Sequence, residues 1–227
     1  MRTASPAKRA GASQPEAAAT DPDRMAAWRL AISLSLGSAI ALGLARFSYA
    51  LLLPPMKADL GWSFAQAGAL NTANAAGYLI GALAFPLLSR RWAAGTLLAA
   101  GCALTACLMA ACGLSSGMDA LLAQRLATGV GSALIFISGG VLAARLASAS
   151  PRDAGLLLGL YYGGTGWGIV ASSLLVPATL VHRMHGWQPA WFAPPPPAAA
   201  VVAGARVAPP PLRPPPPLAG PPPRRPP

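Results

Sequence analysis

Acidic residues are scarce in this chain, with six Asp and Glu against 17 Lys and Arg in 227 residues. None of the six falls inside a long apolar run. Charged residues make up only 10%, against about 25% in a typical soluble domain, which excludes an ordinary water-soluble fold. The three cysteines, Cys102, Cys107 and Cys112, all lie in one apolar block. Five residues apart on a helix, each is turned roughly 140° from the last, so they share no face and cannot form a metal site together. They read as small apolar fillers. His182 and His185 have no acid close in sequence and read as surface histidines. There is no Gly-x-Ser-x-Gly elbow, no phosphate-cradling loop and no metal-ligand spacing. With no nucleophile and base inside the apolar runs, neither an enzyme nor a bound cofactor or metal is expected.

What the chain has instead is apolar residues, 54% of the total, gathered in blocks of more than 20. Such blocks are long enough to cross a hydrocarbon layer of about 30 Å. The net charge of +11 sits between these blocks and in the two tails, without a basic face interleaved with aromatics. Nucleic acid is therefore not expected as a partner, and the lipid bilayer is. The fold class expected is an all-α membrane protein.

Three regions follow. Residues 1–27 are rich in Ala, Ser, Pro and charge and are expected to form a disordered cytoplasmic tail. Met25 is a plausible true start, which would place part of that tail outside the protein. Residues 28–191 are expected to form a transmembrane half-bundle of about five helices and a broken sixth. These run over about Trp28 to Leu53, ended by Pro54-Pro55; Phe64 to Leu88, with Ser63 as cap; Ala93 to Gly113; Ala120 to Ala144; and Ala154 to Leu180. Residues 192–227 form a proline-rich tail without helical or strand period, suited to extended polyproline II. A reading-frame shift near residue 190 is the expected origin of that tail, and a ligand segment for an SH3-like partner is the alternative.

Orientation follows from the basic residues. With the N-terminus inside, cytoplasmic segments hold Arg2, Lys8, Arg9, Arg24, Arg29, Arg90, Arg91, Arg145 and Arg152, and the opposite loops hold Lys57 and Arg183. The N-terminus is expected in the cytoplasm of a multi-pass protein of a bacterial inner membrane.

Glycines recur at helical spacing. Gly155, Gly159 and Gly163 make one stripe, Gly77 and Gly81 another, and Gly129 and Gly131 follow Arg125. Small residues at such spacing let helix backbones approach closely, and all seven are expected at helix-packing seams.

Two arginines lie where lipid should be. Arg46 sits about 10 Å inside the end of the first helix and Arg125 about 9 Å inside the fourth. A charge at mid-bilayer costs roughly 2.5–3.5 kcal/mol on insertion scales. Arg125 either snorkels to the outer interface or lines a water-filled cavity. Antiparallel packing would set the two arginines at similar depth. Two cations with no carboxylate in the spans invite an anionic substrate group. Tyr49 is near Arg46 on the helix surface, and Asn71 and Asn74 share a stripe. The candidate substrate path is therefore Arg46, Tyr49, Asn71, Asn74 and Arg125, with structural interhelical bonding as the other reading of the asparagines.

These motifs resemble the major facilitator superfamily. Arg125-x-x-x-Gly129-x-Gly131-x-Ala133 looks like its helix-4 signature, and Arg90-Arg91 is similar to its basic loop after the second helix, without the usual acid. The glycine-rich fifth segment resembles that of the antiporter branch, without the Gly-Pro step. Gly43-Leu44-Ala45-Arg46-Phe47-Ser48-Tyr49, leading to Leu53-Pro54-Pro55-Met56, resembles the YbfB/YjiJ-type branch. So do Ala65-Gln66-Ala67-Gly68 and Asn74-x-x-Gly77-Tyr78-x-x-Gly81. The resemblance implies a twelve-helix secondary transporter of two halves, of which this chain supplies the N-terminal one. It implies proton-coupled movement of a small organic solute. As a truncated or frame-shifted half the chain is expected to be inactive unless half-transporters self-associate. The alternative function is a membrane scaffold whose proline-rich tail recruits a partner.

Overall fold

The computed structural model describes residues 21–180 and 185–192, and among them there is no strand. The two tails outside those bounds, and His182 and Arg183, lie outside the described residues. The chain opens on one long helix in three parts: α1 (Asp21–Ser38), a π-helical segment (Ala39–Phe47) and α2 (Ser48–Leu60). Then follow α3 (Phe64–Leu88), α4 (Ala94–Cys112), α5 (Met118–Ala149) and α6 (Ala154–Thr179). Short 3₁₀ turns occupy Pro151–Asp153 and Gln188–Phe192.

Among the described residues three helices are long and apolar enough to cross a membrane: Arg24–Leu60, Ala94–Cys112 and Met118–Ala149. α3 and α6 have comparable lengths, 25 and 26 residues, but α3 carries Gln66, Asn71, Thr72 and Asn74, and α6 carries six glycines. All five are packed into one bundle, the all-α membrane architecture that the apolar blocks imply.

Several boundaries differ from those read off the sequence. The first helix begins at Asp21, before Trp28. Arg24, in its first turns, is anchored to Asp153 by two contacts of 2.9 and 3.0 Å. Pro54-Pro55 do not end the helix. They lie inside α2, which runs on to Leu60 and stops at Gly61, whose φ of 65° supplies the left-handed cap. Within a packed apolar bundle, neighbouring groups make good what a proline removes. Lys57, expected in a loop, is thus on the last turn of α2, together with Asp59. α5 runs well past Ala144 to Ala149. The start of α3 is as expected: Ser63 accepts from the Gln66 N–H, and the Gln66 side chain accepts from the Ser63 N–H in return, a reciprocal capping box.

α5 is the hub, packed along α3 on one side and α4 on the other, while α6 packs along α1 and the π segment. Glycine makes the α3–α5 seam possible. A Cβ on Gly77 would run into the Leu126 carbonyl, and one on Gly129 into the Asn74 carbonyl. A Cβ on Gly81 would lie 2.8 Å from the Ala133 methyl, and one on Gly131 would meet Thr105 Oγ1 of α4 at 2.5 Å. The stripe of Gly155, Gly159 and Gly163 behaves differently. It meets nothing within 4 Å. The seam of α6 is made by Gly164 and Gly168, which lie against the backbones of Ser35 and Ala39. Spacing defined both stripes, but only the neighbouring helices decide which one turns inward.

The π segment changes the hydrogen-bond register of the first helix and leaves carbonyls available to side chains. Gly43 O accepts from Ser172 Oγ at 3.2 Å and Ala45 O accepts from Arg125 Nη1 at 2.9 Å. Ser38 and Thr165 hydroxyls meet at 2.7 Å beside the same contact line.

Gly129→Val is expected to destabilise the bundle by about 1–3 kcal/mol, the usual range for overpacking, whereas Gly159→Val should leave it nearly unchanged. Thermal unfolding of the purified chain in detergent separates the two. The hydrogen bonds from Arg24, and its charge beside the carboxylate, hold Asp153 below the usual carboxyl range. Its contribution is therefore present above the unfolded value of about 3.9 and lost as pH falls through the lower folded value. The stability gap between the native chain and Asp153→Asn should close on acidification below about pH 4, and shrink in high salt.

Candidate functional site

The π segment and α2 carry Ala45 and Tyr49 on the buried side of the first helix and Arg46 on its exposed side. α5 carries Arg125 opposite them, α3 brings Ala67 and Asn74, and the 3₁₀ turn after α6 brings Trp191. Arg125 is 0% exposed. It neither snorkels nor lines open water, as either sequence reading had it. Its Nη1 donates to the Ala45 carbonyl, the residue before Arg46, which sets both arginines at one level of the bundle. Arg125 Cζ lies 4.8 Å from the Tyr49 ring centroid and 5.7 Å from that of Trp191. The two rings stack at 6.4 Å and 30°. The guanidinium thus lies beside this stacked pair, within reach of both rings, whose quadrupoles attract a cation most strongly when it is desolvated.

The supports of this node are directional. Tyr49 donates its hydroxyl proton to the Ala67 carbonyl at 2.6 Å, fixing the ring. Asn74 Nδ2 donates to the Arg125 carbonyl at 3.0 Å, tying α3 to α5 at the base of the arginine. Among the described residues the ion pairs are Arg24–Asp153 and His185–Asp59, and neither involves Arg125. Its Nε and Nη2 have no acceptor.

Three of the five candidate path residues, Tyr49, Asn74 and Arg125, are therefore gathered in one buried node. Arg46 and Asn71 are exposed on the described bundle. Arg46 nevertheless remains within electrostatic reach of Arg125 and of Tyr78.

Trp191 escaped the sequence reading, as did what holds it. Asp59 Oδ2 accepts from Trp187 Nε1 at 2.7 Å and from the His185 N–H at 3.1 Å, and His185 Nδ1 lies 2.7 Å away. His185, expected at the surface without an acid, is thus paired with Asp59 across the length of the chain. The visible signal was Trp187-x-x-x-Trp191, an aromatic pair placed after the last apolar block. Among the described residues no group of three His, Cys, Asp or Glu side chains could hold a metal. Cys102 and Cys112 are buried, Cys107 is exposed, and all three are free.

Asn74→Ala is expected to lower stability by about 1 kcal/mol, the scale of an interhelical hydrogen bond in a membrane protein. Asn71→Ala, on the exposed side of the same helix, should stay within about 0.5 kcal/mol. Thermal unfolding in detergent reads both, and equal losses would contradict the inward placement of Asn74.

The geometry is that of a membrane bundle whose helices converge on a buried, unpaired cation. A protein-family profile described as an uncharacterised MFS-type transporter YbfB matches residues 38–220. No curated protein matches the chain. The matched stretch takes in the π segment, both arginines and the glycine seams, and the chain belongs to this YbfB-type family of major facilitator transporters.

Proposed function

We propose that this multi-pass membrane transporter moves a small organic solute bearing an anionic group. The observation that carries the reading is Arg125, 0% exposed and without a carboxylate partner among the described residues. Burying an unpaired charge is costly, and an anionic solute offsets that cost as it binds. In this reading Arg46 guides the solute from the exposed side, Arg125 receives its charge, and Tyr49, Asn71 and Asn74 shape the path.

The N-terminus lies in the cytoplasm, on the strength of the basic residues flanking α1, α3 and α5, and the membrane assigned to the chain is a bacterial inner membrane. Proton coupling follows from the resemblance of the first helix to the YbfB/YjiJ-type branch. Gly155, Gly159 and Gly163 present an unoccupied small-residue face to a further helix, from another half or a second copy. The family match lends nothing to the scaffold reading.

In an intact family member carrying the same residues, Arg46→Ala and Arg125→Ala should each lower solute uptake into membrane vesicles by about tenfold or more. That is the scale of a lost charged hydrogen bond. Membrane insertion should remain normal. Undiminished uptake in both variants would sink the assignment.

A further inference from the structure

We infer that Arg125 and Trp191 together form a binding site for a monocarboxylate with an apolar body; the inference rests on the transporter reading and narrows its solute. Three donors are buried here without an acceptor: Arg125 Nε, Arg125 Nη2 and Trp191 Nε1. The third guanidinium nitrogen, Nη1, is already committed to the Ala45 carbonyl. What remains is the Nε–Nη2 edge, two parallel N–H groups whose spacing matches the two oxygens of a carboxylate. The Trp191 ring stands 5.7 Å from the same guanidinium carbon, so its N–H belongs to the same neighbourhood.

The surroundings choose among anions. Leu52, Met56, Leu70, Met109 and Leu121 are at most 1% exposed, and they belong to the same apolar cluster as Tyr49 and Trp191. Arg125 is the one buried cation among the described residues. A single charge balances a single carboxylate. A phosphate carries more charge than Arg125 cancels and more oxygens than three donors reach, and burying the excess is costly. The rest of the ligand meets hydrocarbon and two ring faces, so it is apolar.

The Trp191 indole is carried on the Gln188–Phe192 turn, and Asp59 holds that turn through Trp187 and His185.

The test uses the purified full chain in phosphatidylcholine nanodiscs, titrated by calorimetry with pentanoate, pentanamide and inorganic phosphate. Pentanoate should bind saturably, and pentanamide and phosphate should not. Arg125→Lys keeps the charge and loses the two-pronged edge, and should weaken pentanoate binding by about tenfold. Trp191→Phe keeps a ring and loses the N–H, and should weaken it by a smaller factor, which keeps the site testable if Arg125→Lys fails to fold. Arg91→Gln, in the exposed turn after α3, should bind as the native chain does. No saturable pentanoate binding, or equal binding of pentanamide, would overturn the site. So would native affinity in both Arg125→Lys and Trp191→Phe. Uptake that depends on Arg125 in a family member, together with absent pentanoate binding, removes the carboxylate site and leaves the transporter reading standing. Pentanoate binding that follows Arg125, with no uptake, supports the site and removes the solute path instead.

Discussion

A guanidinium held away from water, with no carboxylate against it, is the constraint around which this bundle is arranged. Such a group must be neutralised, hydrogen-bonded or surrounded by polarisable faces. Arg125 has part of each remedy and all of none. One nitrogen is satisfied by Ala45, a stacked pair of rings lies beside its carbon, and one edge is left over. Nearly every polar contact nearby serves this arrangement. Tyr49 is fixed by Ala67, the Arg125 backbone is fixed by Asn74, and the segment leading to Trp191 is held by the Asp59 contacts to Trp187 and His185.

The carbonyl that meets Arg125 exists because the first helix is not a plain α-helix. In the π segment the backbone hydrogen bonds shift register, and Gly43 and Ala45 turn carbonyls toward α6 and α5. The same local widening is accommodated by glycine on the facing helix, since Gly168 lies against Ala39 and Gly43. Helix distortion and small-residue seam are therefore two sides of one contact. Serine and threonine hydroxyls line it, as at Ser38–Thr165 and Ser172–Gly43, where no water is needed to satisfy them.

Much of this architecture was legible in the residues. Hydropathy placed the five apolar helices, and Ser63 with Gln66 located the start of α3, because a capping box is a local device. The errors have physical causes of their own. Pro54-Pro55 read as a stop because proline's cost is set by what surrounds the freed carbonyls, and the surroundings are tertiary. The π register of Ala39–Phe47 has no signature in a run of Ala, Leu, Ile and Gly. The stripes Gly77–Gly81 and Gly155–Gly163 look alike in sequence, yet only the first faces α5. Asp59 and Trp187 are 128 residues apart, and no periodicity connects them.

The position of Trp191 in the chain bears on biosynthesis. It leaves the ribosome well after Arg125, on the order of 3–13 s later at about 5–20 residues per second. Ala45 and Tyr49 are made before Arg125, so the arginine can enter the bilayer already bonded to the first helix. Its aromatic cover arrives only when α6 and the turn beyond it have been made. During that interval the guanidinium is sheltered on one side alone, and the nascent bundle holds a charge whose housing is still being synthesised.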